Sequence, residues 1–393
     1  MRTLVLSDLH LGTHQGTDLL RRPELRTPLM AALDGIDRVI LLGDMLELRH
    51  GPLRAALATG RDFLSELGAA LGERGEVVIV PGNHDHHLAH AWLERRARVG
   101  APPPLGLESA VDWRAGEPLA TLAGWLAPAT VRAAYPGVWL REDVYAMHGH
   151  YSARHTTIPM FERLGAGAMV RLVGEPDGGP ARAEDYEAIL APLYAWIHAV
   201  AQSTGGNVAG SQRASSRAWR ALAGRNGGRS LRRRAVVSAF PAVVAALNRA
   251  GLGPLQSDVS MPALSRAGLH ATAQVIAALR VSARYVIFGH THRAGPLPGE
   301  EEADWATLSG VRMINAGSWV YDRQFVGEVP NESPYWPGAC VVLGDAGPPE
   351  LRRLLGYRGR ADLEPDRGRA DLEPDRGRAG LEPQPGALRS RPG

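Results

Sequence analysis

Lysine is absent from this 393-residue sequence, and cysteine occurs once, as Cys340. One thiol excludes a disulfide within the chain, so a disulfide-stabilised fold is excluded and the sequence is compatible with a reducing compartment. The formal net charge of +3 is too small at this length to indicate a nucleic-acid partner by itself. Hydrophobic residues at 45% and charged residues at 22% are typical of a globular protein.

Long hydrophobic runs are also missing. The longest relevant stretch, residues 235–247, is interrupted by Pro241 and is shorter than the roughly 18 residues that a membrane-spanning helix needs. The first eight residues contain too few apolar side chains for a secretory signal peptide. We therefore expect a cytoplasmic protein without a transmembrane segment, with peripheral contact to a membrane left open.

Short apolar segments recur in the first half of the chain and again between residues 285 and 343. Because these segments are continuous rather than alternating, and helix-like stretches separate them, they predict an α/β fold with strands buried on both faces. Five of them end in a polar cluster. The clusters are Asp-Leu-His at 8–10, Gly-Asp at 43–44, Gly-Asn-His-Asp at 82–85, His-Gly-His at 148–150 and Gly-His-Thr-His at 289–292.

These five clusters predict one shared site, because the carboxyl ends of strands meet at one edge of an α/β sheet. Each cluster alone is compatible with a turn or a surface loop. Together they supply the carboxylate, imidazole and amide groups that bind divalent ions such as Mn²⁺, Fe²⁺ and Zn²⁺. Asp44 is a candidate bridge between two ions, since a carboxylate has two oxygens.

The order of the clusters resembles that of the calcineurin-like metallophosphoesterases, over residues 1–150 and 270–345. The resemblance implies two packed mixed β-sheets flanked by helices, with a dinuclear metal site at one edge. It also implies three ligands for each ion and Asp44 as the bridge. The first ion would be held by Asp8, His10 and His292, and the second by Asn83, His148 and His290. We expect Mn²⁺ in both positions, with iron and zinc as alternatives.

The resemblance further implies a metal-dependent phosphoric ester hydrolase, in which a metal-bridging hydroxide attacks phosphorus in line. His84 matches the family's proposed general acid, which protonates the departing oxygen; the alternative is that it only orients the substrate. Asp85 is expected either to cap the following helix or to support a site residue. His150 is expected beside the ligands or facing the cleft.

Residues 151–268 have a different pattern, rich in Ala, Leu and Arg, which predicts a mostly helical insertion or lid. Nine arginines and no acidic residue lie between Glu187 and Asp258. Three of them, Arg232, Arg233 and Arg234, directly precede an apolar stretch. They are candidates for contact with a phosphate-bearing substrate or an anionic lipid surface; the alternative is a lid whose arginine face is solvated.

Two segments, 7–12 and 42–48, resemble the UDP-2,3-diacylglucosamine pyrophosphohydrolase branch of the family. Members of that branch carry a helical insertion that accommodates a lipid substrate, but we carry over the branch resemblance and not its substrate. This chain departs from the branch at His150, where the branch has an acidic residue, and in its longer, strongly basic insertion.

A nine-residue unit with one Leu and one Pro repeats from residue 359 onward, which predicts disorder for residues 357–393. The sequence therefore predicts three regions. They are a discontinuous catalytic domain at 1–150 and 269–356, the insertion at 151–268, and the tail at 357–393.

The function predicted from the sequence is hydrolysis of a phosphodiester, pyrophosphate or phosphomonoester, small or lipid-linked. A nuclease is the alternative within this chemistry, but nucleic acid is the less favoured partner because Trp219 is the one aromatic residue among the clustered arginines. A non-catalytic scaffold with the same fold is a further alternative. Loss of ligands would indicate it, and all seven candidate ligands are present.

Overall fold

Eleven hydrogen-bonded strands form the frame of the protein in the computed structural model. The structure describes residues 1–100, 102–203 and 231–365, with the side chains of 231–237 excepted. The strands are β1 (Thr3–Leu6), β2 (Arg38–Leu42), β3 (Glu76–Val80), β4 (Glu108–Val111), β5 (Thr130–Arg141), β6 (Val144–Met147), β7 (Tyr285–Phe288), β8 (Ala294–Gly295), β9 (Arg312–Ala316), β10 (Ala339–Leu343) and β11 (Glu350–Arg353). Their order is β11-β10-β1-β2-β3-β5-β6-β7-β9-β8, with β4 paired to β5.

Helices cover the outer faces of this frame. In the described residues they are α1 (Pro23–Ala32), α2 (Leu53–Leu71), α3 (His87–Ala97), α4 (Pro118–Trp125), α5 (Phe161–Val173), α6 (Ala183–Ser203), α7 (Leu231–Arg249), α8 (Met261–Ala278) and α9 (Arg360–Leu363). Short 3-10 turns lie at Leu19–Arg21, His150–Arg154 and Glu302–Trp305. No helix among the described residues is both long and apolar enough to cross a membrane.

The long strand β5 belongs to both halves of the frame. Its first part pairs in parallel with β3, and its second part pairs antiparallel with β6. Strands β1, β2 and β3 are parallel neighbours in one half, and β6, β7 and β9 are parallel neighbours in the other. One strand therefore joins two mixed sheets into a single hydrogen-bonded path.

A buried hydrophobic cluster fills the space between the two halves. It unites Val5 and Ile40 of the first half with Val144, Ile287 and Ile314 of the second. A larger cluster on the outer faces joins the strands to the helices. The central strands are thus buried on both faces, as their continuous apolar sequences require. The predicted α/β fold, with packed mixed sheets flanked by helices, is confirmed.

The described parts of the insertion, residues 151–203 and 231–268, contain helices α5, α6 and α7 and the start of α8 as their regular elements, with one 3-10 turn. Helix α8 continues past residue 268, so the predicted boundary does not coincide with the end of an element. The division into catalytic domain and insertion stays a prediction. Backbone of Arg232, Arg233 and Arg234 belongs to α7, but their side chains lie outside the described part.

The predicted disorder is wrong for residues 357–365. They include α9, whose Leu363 is fully buried in the main hydrophobic cluster. The carbonyl oxygen of Glu364 accepts a hydrogen bond of 3.0 Å from Arg22 Nη1, and the Glu364 carboxylate accepts one of 3.1 Å from the Tyr321 hydroxyl. The first copy of the repeat is ordered because Leu363 is buried and because Arg22, directly before α1, and Tyr321 form hydrogen bonds with Glu364. Residues 366–393 lie outside the described part.

Candidate metal centre

All five polar clusters begin within two residues of the carboxyl end of a strand. Strands β1, β2 and β3 deliver three of them from one half of the frame, and β6 and β7 deliver two from the other. Hydrogen bonds join the halves here. His148 Nδ1 donates to the carbonyl oxygen of Leu42 over 3.0 Å, and the backbone N–H of His290 donates to Asp8 Oδ2 over 2.9 Å. The predicted convergence of the clusters is what the structure shows.

Backbone strain is concentrated in the same residues. Five of the seven candidate ligands have a positive φ, although none is glycine. They are Asp8 (55°), His10 (46°), Asp44 (52°), His290 (65°) and His292 (58°). The left-handed region is uncommon for such residues and costs of order 1–3 kcal/mol each, so it persists where the surrounding structure imposes it and is concentrated at functional sites.

A first set of donor atoms comprises Asp8, His10 and His292. Their candidate ligand atoms all lie within 4.8 Å of one another. His292 Nε2 is 3.3 Å from Asp8 Oδ1 and 3.0 Å from His10 Nε2. Within the described part of the chain, Asp8 Oδ1 is buried and makes no hydrogen bond. A buried carboxylate oxygen without a donor, facing two imidazole nitrogens, fits a cation between the three.

A second set lies beside the first and comprises Asp44, His148 and His290, together with the amide of Asn83. Asn83 Oδ1 is 3.0 Å from both His148 Nε2 and His290 Nδ1. Asp44 Oδ2 is 3.2 Å from His148 Nε2 and 3.7 Å from His10 Nε2, so this carboxylate lies between the two sets.

The hydrogen bonds behind the rings determine which nitrogen faces inward. His148 uses Nδ1 for the carbonyl oxygen of Leu42, and His10 uses Nδ1 for Glu47 Oε2 over 3.1 Å. Each ring therefore directs its Nε2 atom toward Asp44, which is the arrangement of metal-binding histidines in general. Mixed carboxylate, imidazole and amide donors suit Mn²⁺, Fe²⁺ or Zn²⁺. The residues present fit divalent ions.

Electrostatics favour positive charge at this position. Burial opposes protonation of His148, but the Asp44 carboxylate outweighs it and raises the pKa of His148 to about 9. Burial likewise opposes ionisation of Asp44, yet His148 and His84 hold its pKa well below the usual range. The two shifts are the two sides of one ion pair, in which the Asp44 carboxylate stabilises a positive charge beside it, and a divalent cation can take the place of that charge.

Comparison with known proteins identifies the family. A family model described as calcineurin-like phosphoesterase matches residues 1–199, which is half of the chain. The chain belongs to the calcineurin-like phosphoesterase family. The predicted resemblance is confirmed at this level, while the narrower pyrophosphohydrolase branch stays a prediction.

Among solved structures, the chain is similar to the crystal structure of Pseudomonas putida nuclease MPE, at 21% sequence identity and a TM-score of 0.21. The match covers 37% of this chain and 53% of the nuclease, so it spans about half of that protein's length. A comparison with curated proteins finds no match.

In this calcineurin-like phosphoesterase, Glu47 supports two histidines at once. Its buried Oε2 is 3.1 Å from His10 Nδ1 and 2.8 Å from His84 Nδ1. His84 is further fixed by its backbone N–H, which donates to Asp44 Oδ1 over 2.8 Å. Sequence reasoning gave Glu47 no role. The available signal was an acidic residue within an otherwise apolar segment, three positions after Asp44.

Asp85 supports the loop that carries Asp44. Its two carboxylate oxygens accept hydrogen bonds from backbone N–H groups, among them those of Gly82 (2.7 Å) and Met45 (2.8 Å). The alternative role as a helix cap is wrong, because α3 begins after His86 and has no side-chain cap. Burial, together with the nearby Asp44 carboxylate, raises the pKa of Asp85 to about 6.

His150 is buried beside the ligands rather than facing an open cleft. Its Nε2 is 3.2 Å from the Tyr135 hydroxyl. Tyr135 and Tyr151 both donate to Glu187 Oε1, over 2.6 and 2.7 Å, and His86 Nε2 is 2.9 Å from Glu187 Oε2. Glu187, on α6 of the insertion, thus ties the insertion to the residues around the site. Sequence reasoning missed it because no local pattern connects α6 to positions 86 and 135.

A second acidic residue of the insertion reaches the site itself. Glu162, at the start of α5, contacts Asn83 and Arg49. Burial opposes its ionisation, but the Arg49 guanidinium and His290 outweigh burial and lower the pKa of Glu162 to about 2. The sequence gave no signal for this contact, because 79 residues separate Glu162 from Asn83.

Proposed function

We propose that this chain is a dinuclear-metal phosphoesterase that hydrolyses a phosphodiester, pyrophosphate or phosphomonoester. The observation that carries the proposal is the pair of adjacent donor sets on either side of the Asp44 carboxylate. The proposed ligands of the first ion are Asp8, His10 and His292, those of the second are Asn83, His148 and His290, and Asp44 serves both.

Bound ions would supply charge neutralisation for the phosphoryl oxygens and lower the pKa of the attacking water. The chain's own residues supply the rest. Glu47 holds His84 through Nδ1, so Nε2 is the nitrogen available to the substrate. With Nδ1–H held by the Glu47 carboxylate, the doubly protonated His84 ring can donate its Nε2 proton to the departing oxygen, which is the general-acid role. Asp85 keeps the Asp44 loop in place through backbone hydrogen bonds.

The substrate we favour is small or lipid-linked, with Mn²⁺ as the first choice of ion and iron or zinc as alternatives. Contact of Arg232, Arg233 and Arg234 with phosphate or anionic lipid remains part of this proposal. Neutralising all three and measuring binding to anionic liposomes tests it. Unchanged binding would contradict the lipid contact.

A substrate screen of the Mn²⁺-loaded protein tests the reaction. It compares bis-p-nitrophenyl phosphate, p-nitrophenyl phosphate, a nucleotide-sugar pyrophosphate and single-stranded DNA. Asp44→Ala is expected to lower the rate on the best substrate by about 100-fold or more, since it removes a donor shared by both sets. The matched control is Asp143→Ala, which removes a surface carboxylate paired with Arg141 and leaves the rate unchanged.

Each outcome of the screen has a meaning. Full activity in Asp44→Ala would contradict the site assignment. Preference for the nucleotide-sugar pyrophosphate would support the narrower branch, and preference for DNA would support the nuclease alternative. A protein that binds two ions and hydrolyses none of the four substrates would support the alternative of a non-catalytic scaffold.

A further inference from the structure

Glu162 brings the insertion into the metal centre. It is the second residue of α5, and its side chain is 14% exposed. Its Oε1 accepts hydrogen bonds from both Asn83 Nδ2, over 2.7 Å, and Arg49 Nη1. Its Oε2 lies 3.9 Å from His290 Nε2. One carboxylate oxygen of the insertion therefore contacts a proposed metal ligand directly.

The contact with Glu162 decides which end of the Asn83 amide faces the donor set. An amide has an accepting oxygen at one end and a donating NH₂ at the other, and the two ends are nearly equal in shape. The oxygen is the end that binds a hard cation. A carboxylate can accept from the NH₂ end and repels the oxygen end. With Glu162 on Nδ2, Oδ1 is directed to His148 and His290.

Arg49 fixes the backbone of the same residue. Its Nε and Nη2 donate to the carbonyl oxygen of Asn83 over 3.2 and 2.8 Å. The guanidinium is buried and lies 5.3 Å from the ring centre of Tyr194 on α6. A buried guanidinium without a counter-charge is strongly destabilising, so the Glu162 carboxylate stabilises Arg49 as well. Asn83 is thus held by its carbonyl oxygen and by its amide.

We propose that Glu162 is a positioning residue for the second metal position: it directs the Asn83 oxygen toward the ion, so occupancy of that position depends on the insertion. This inference rests on the proposed function through the assignment of Asn83 as a ligand. The same fold without an insertion would need another acceptor for Asn83 Nδ2. The insertion therefore takes part in assembling the centre, in addition to any role in substrate choice.

Metal binding by the full-length, metal-free protein tests the inference independently of activity. Mn²⁺ is titrated calorimetrically, and electron paramagnetic resonance distinguishes a coupled Mn²⁺ pair from isolated ions. Glu162→Ala is expected to weaken the second binding step by about 10–100-fold, the usual effect of losing such a supporting contact. The first step is expected to stay within about 2-fold, and the coupled signal to be lost at limiting Mn²⁺.

Glu162→Gln is the decisive companion variant. The Gln Oε1 atom can accept both hydrogen bonds that Glu162 Oε1 accepts now, but Gln removes the counter-charge of buried Arg49. The second step is therefore expected to be weakened less than in Glu162→Ala, to within about 5-fold of wild type. A Gln variant as weak as Ala would overturn the inference, because the carboxylate would then act by its charge or by direct ligation. Unchanged binding in Glu162→Ala would overturn it as well.

Glu175→Ala is the matched control. Glu175 forms an ion pair with Arg154 within the insertion, at 2.6 Å, without touching Asn83. Both binding steps are expected to stay unchanged, whereas equal weakening would show a general effect of loosening the insertion and overturn the specific role. Should Glu162→Ala not fold, Glu162→Leu keeps more of the side-chain volume without an acceptor and carries the same expectation.

Hydrolysis of the screen substrates separates this inference from the proposed function. A wild-type protein that binds two Mn²⁺ ions with no hydrolysis would contradict the function and leave the positioning role standing. Hydrolysis by the wild type, together with an unchanged second Mn²⁺-binding step in Glu162→Ala, would support the function and contradict the positioning role. A wild-type protein that binds no Mn²⁺ would overturn both.

Discussion

At the scale of single residues, the site depends on carboxylates that are not themselves proposed ligands. Glu47 orients His10 and His84 through one oxygen atom, and Asp85 holds the loop of Asp44. Ligands are visible in a sequence because their types and order recur. A supporting residue such as Glu47 is not visible in this way, because several side chains can supply a hydrogen-bond acceptor from many positions along the chain.

The first residue-scale prediction concerns His84. A general acid matters most when the departing oxygen is strongly basic. We expect His84→Ala to lower kcat by about 100-fold on alkyl phosphoesters and only a few-fold on p-nitrophenyl esters. The measurement is the dependence of kcat on leaving-group pKa in both proteins. An equal loss on all leaving groups would favour the alternative, in which His84 only orients the substrate.

The second residue-scale prediction compares two glycines that both have a positive φ. These are Gly43 (φ 78°) and Gly72 (φ 65°), but a Cβ at Gly43 would overlap the His148 ring, whereas nothing lies within 4 Å at Gly72. Gly72→Ala is expected to lower the free energy of unfolding by about 1 kcal/mol from backbone strain alone. Gly43→Ala is expected to cost about 2–4 kcal/mol and to weaken Mn²⁺ binding.

Urea unfolding and Mn²⁺ titration of both glycine variants provide the check. Equal losses of stability would mean that the His148 ring can move aside. Normal Mn²⁺ binding in Gly43→Ala would show that His148 is not held where the proposed ligand role needs it.

At the scale of elements, the insertion and the core meet along α3 and α6. The rings of His87 on α3 and His198 on α6 stack at 3.8 Å between centroids. Burial, and then the neighbouring His198 and His90, lower the pKa of His87 to about 3. Stacked neutral imidazoles are compatible with close packing, and protonated ones would repel each other. The contact between the two helices should therefore be sensitive to acid.

The sign of this pH effect follows from the shift of His87. Its folded-state pKa of about 3 is below the unfolded value of about 6.5, so the unfolded chain binds more protons between these values. The contribution of neutral His87 is complete above pH 6.5 and is lost as the pH falls toward 3. We expect His87→Asn to reduce the loss of unfolding free energy between pH 7 and pH 4.5, measured by urea unfolding.

The control for this effect is His270→Asn, a substitution of an exposed histidine on α8. The His270→Asn protein is expected to lose the same unfolding free energy between pH 7 and pH 4.5 as the wild type. If the His87→Asn protein also lost as much unfolding free energy over this pH range as the wild type, the stacked pair would not govern the acid stability of this contact.

At the scale of the whole molecule, the strands and their polar clusters could be predicted from the sequence better than the contacts of the insertion and the tail. Continuous apolar strands and the clusters after them were enough to predict the α/β fold and the edge at which residues 8, 44 and 290 meet. Glu162 and Glu187 could not be predicted as site neighbours, because their contacts arise only when α5 and α6 pack on the core. The start of the tail could not be predicted either, since composition does not reveal a nearby surface that accepts one leucine.

The tail offers a test in which the sequence is its own control. Leu363 and Leu372 occupy the same position in two identical nine-residue units, and Leu363 is fully buried. Leu363→Ala is expected to cost about 2–4 kcal/mol of unfolding free energy. Leu372→Ala, in a unit whose composition predicts disorder, is expected to cost nothing measurable. Urea unfolding of both variants would contradict this view if the two losses were equal.

The strand order also has a consequence for how the protein is made. Strand β7 is added beside β6, and β10 beside β1, so the last third of the chain completes both halves of the frame. A nascent chain that has reached residue 199 carries Asp8, His10, Asp44, Asn83 and His148 but neither His290 nor His292. Each proposed donor set then lacks a histidine until about three quarters of the chain has been translated. With this ligand assignment, we expect metal loading to follow synthesis of the segment after the insertion, and we expect fragments that end within the insertion to lack a complete centre.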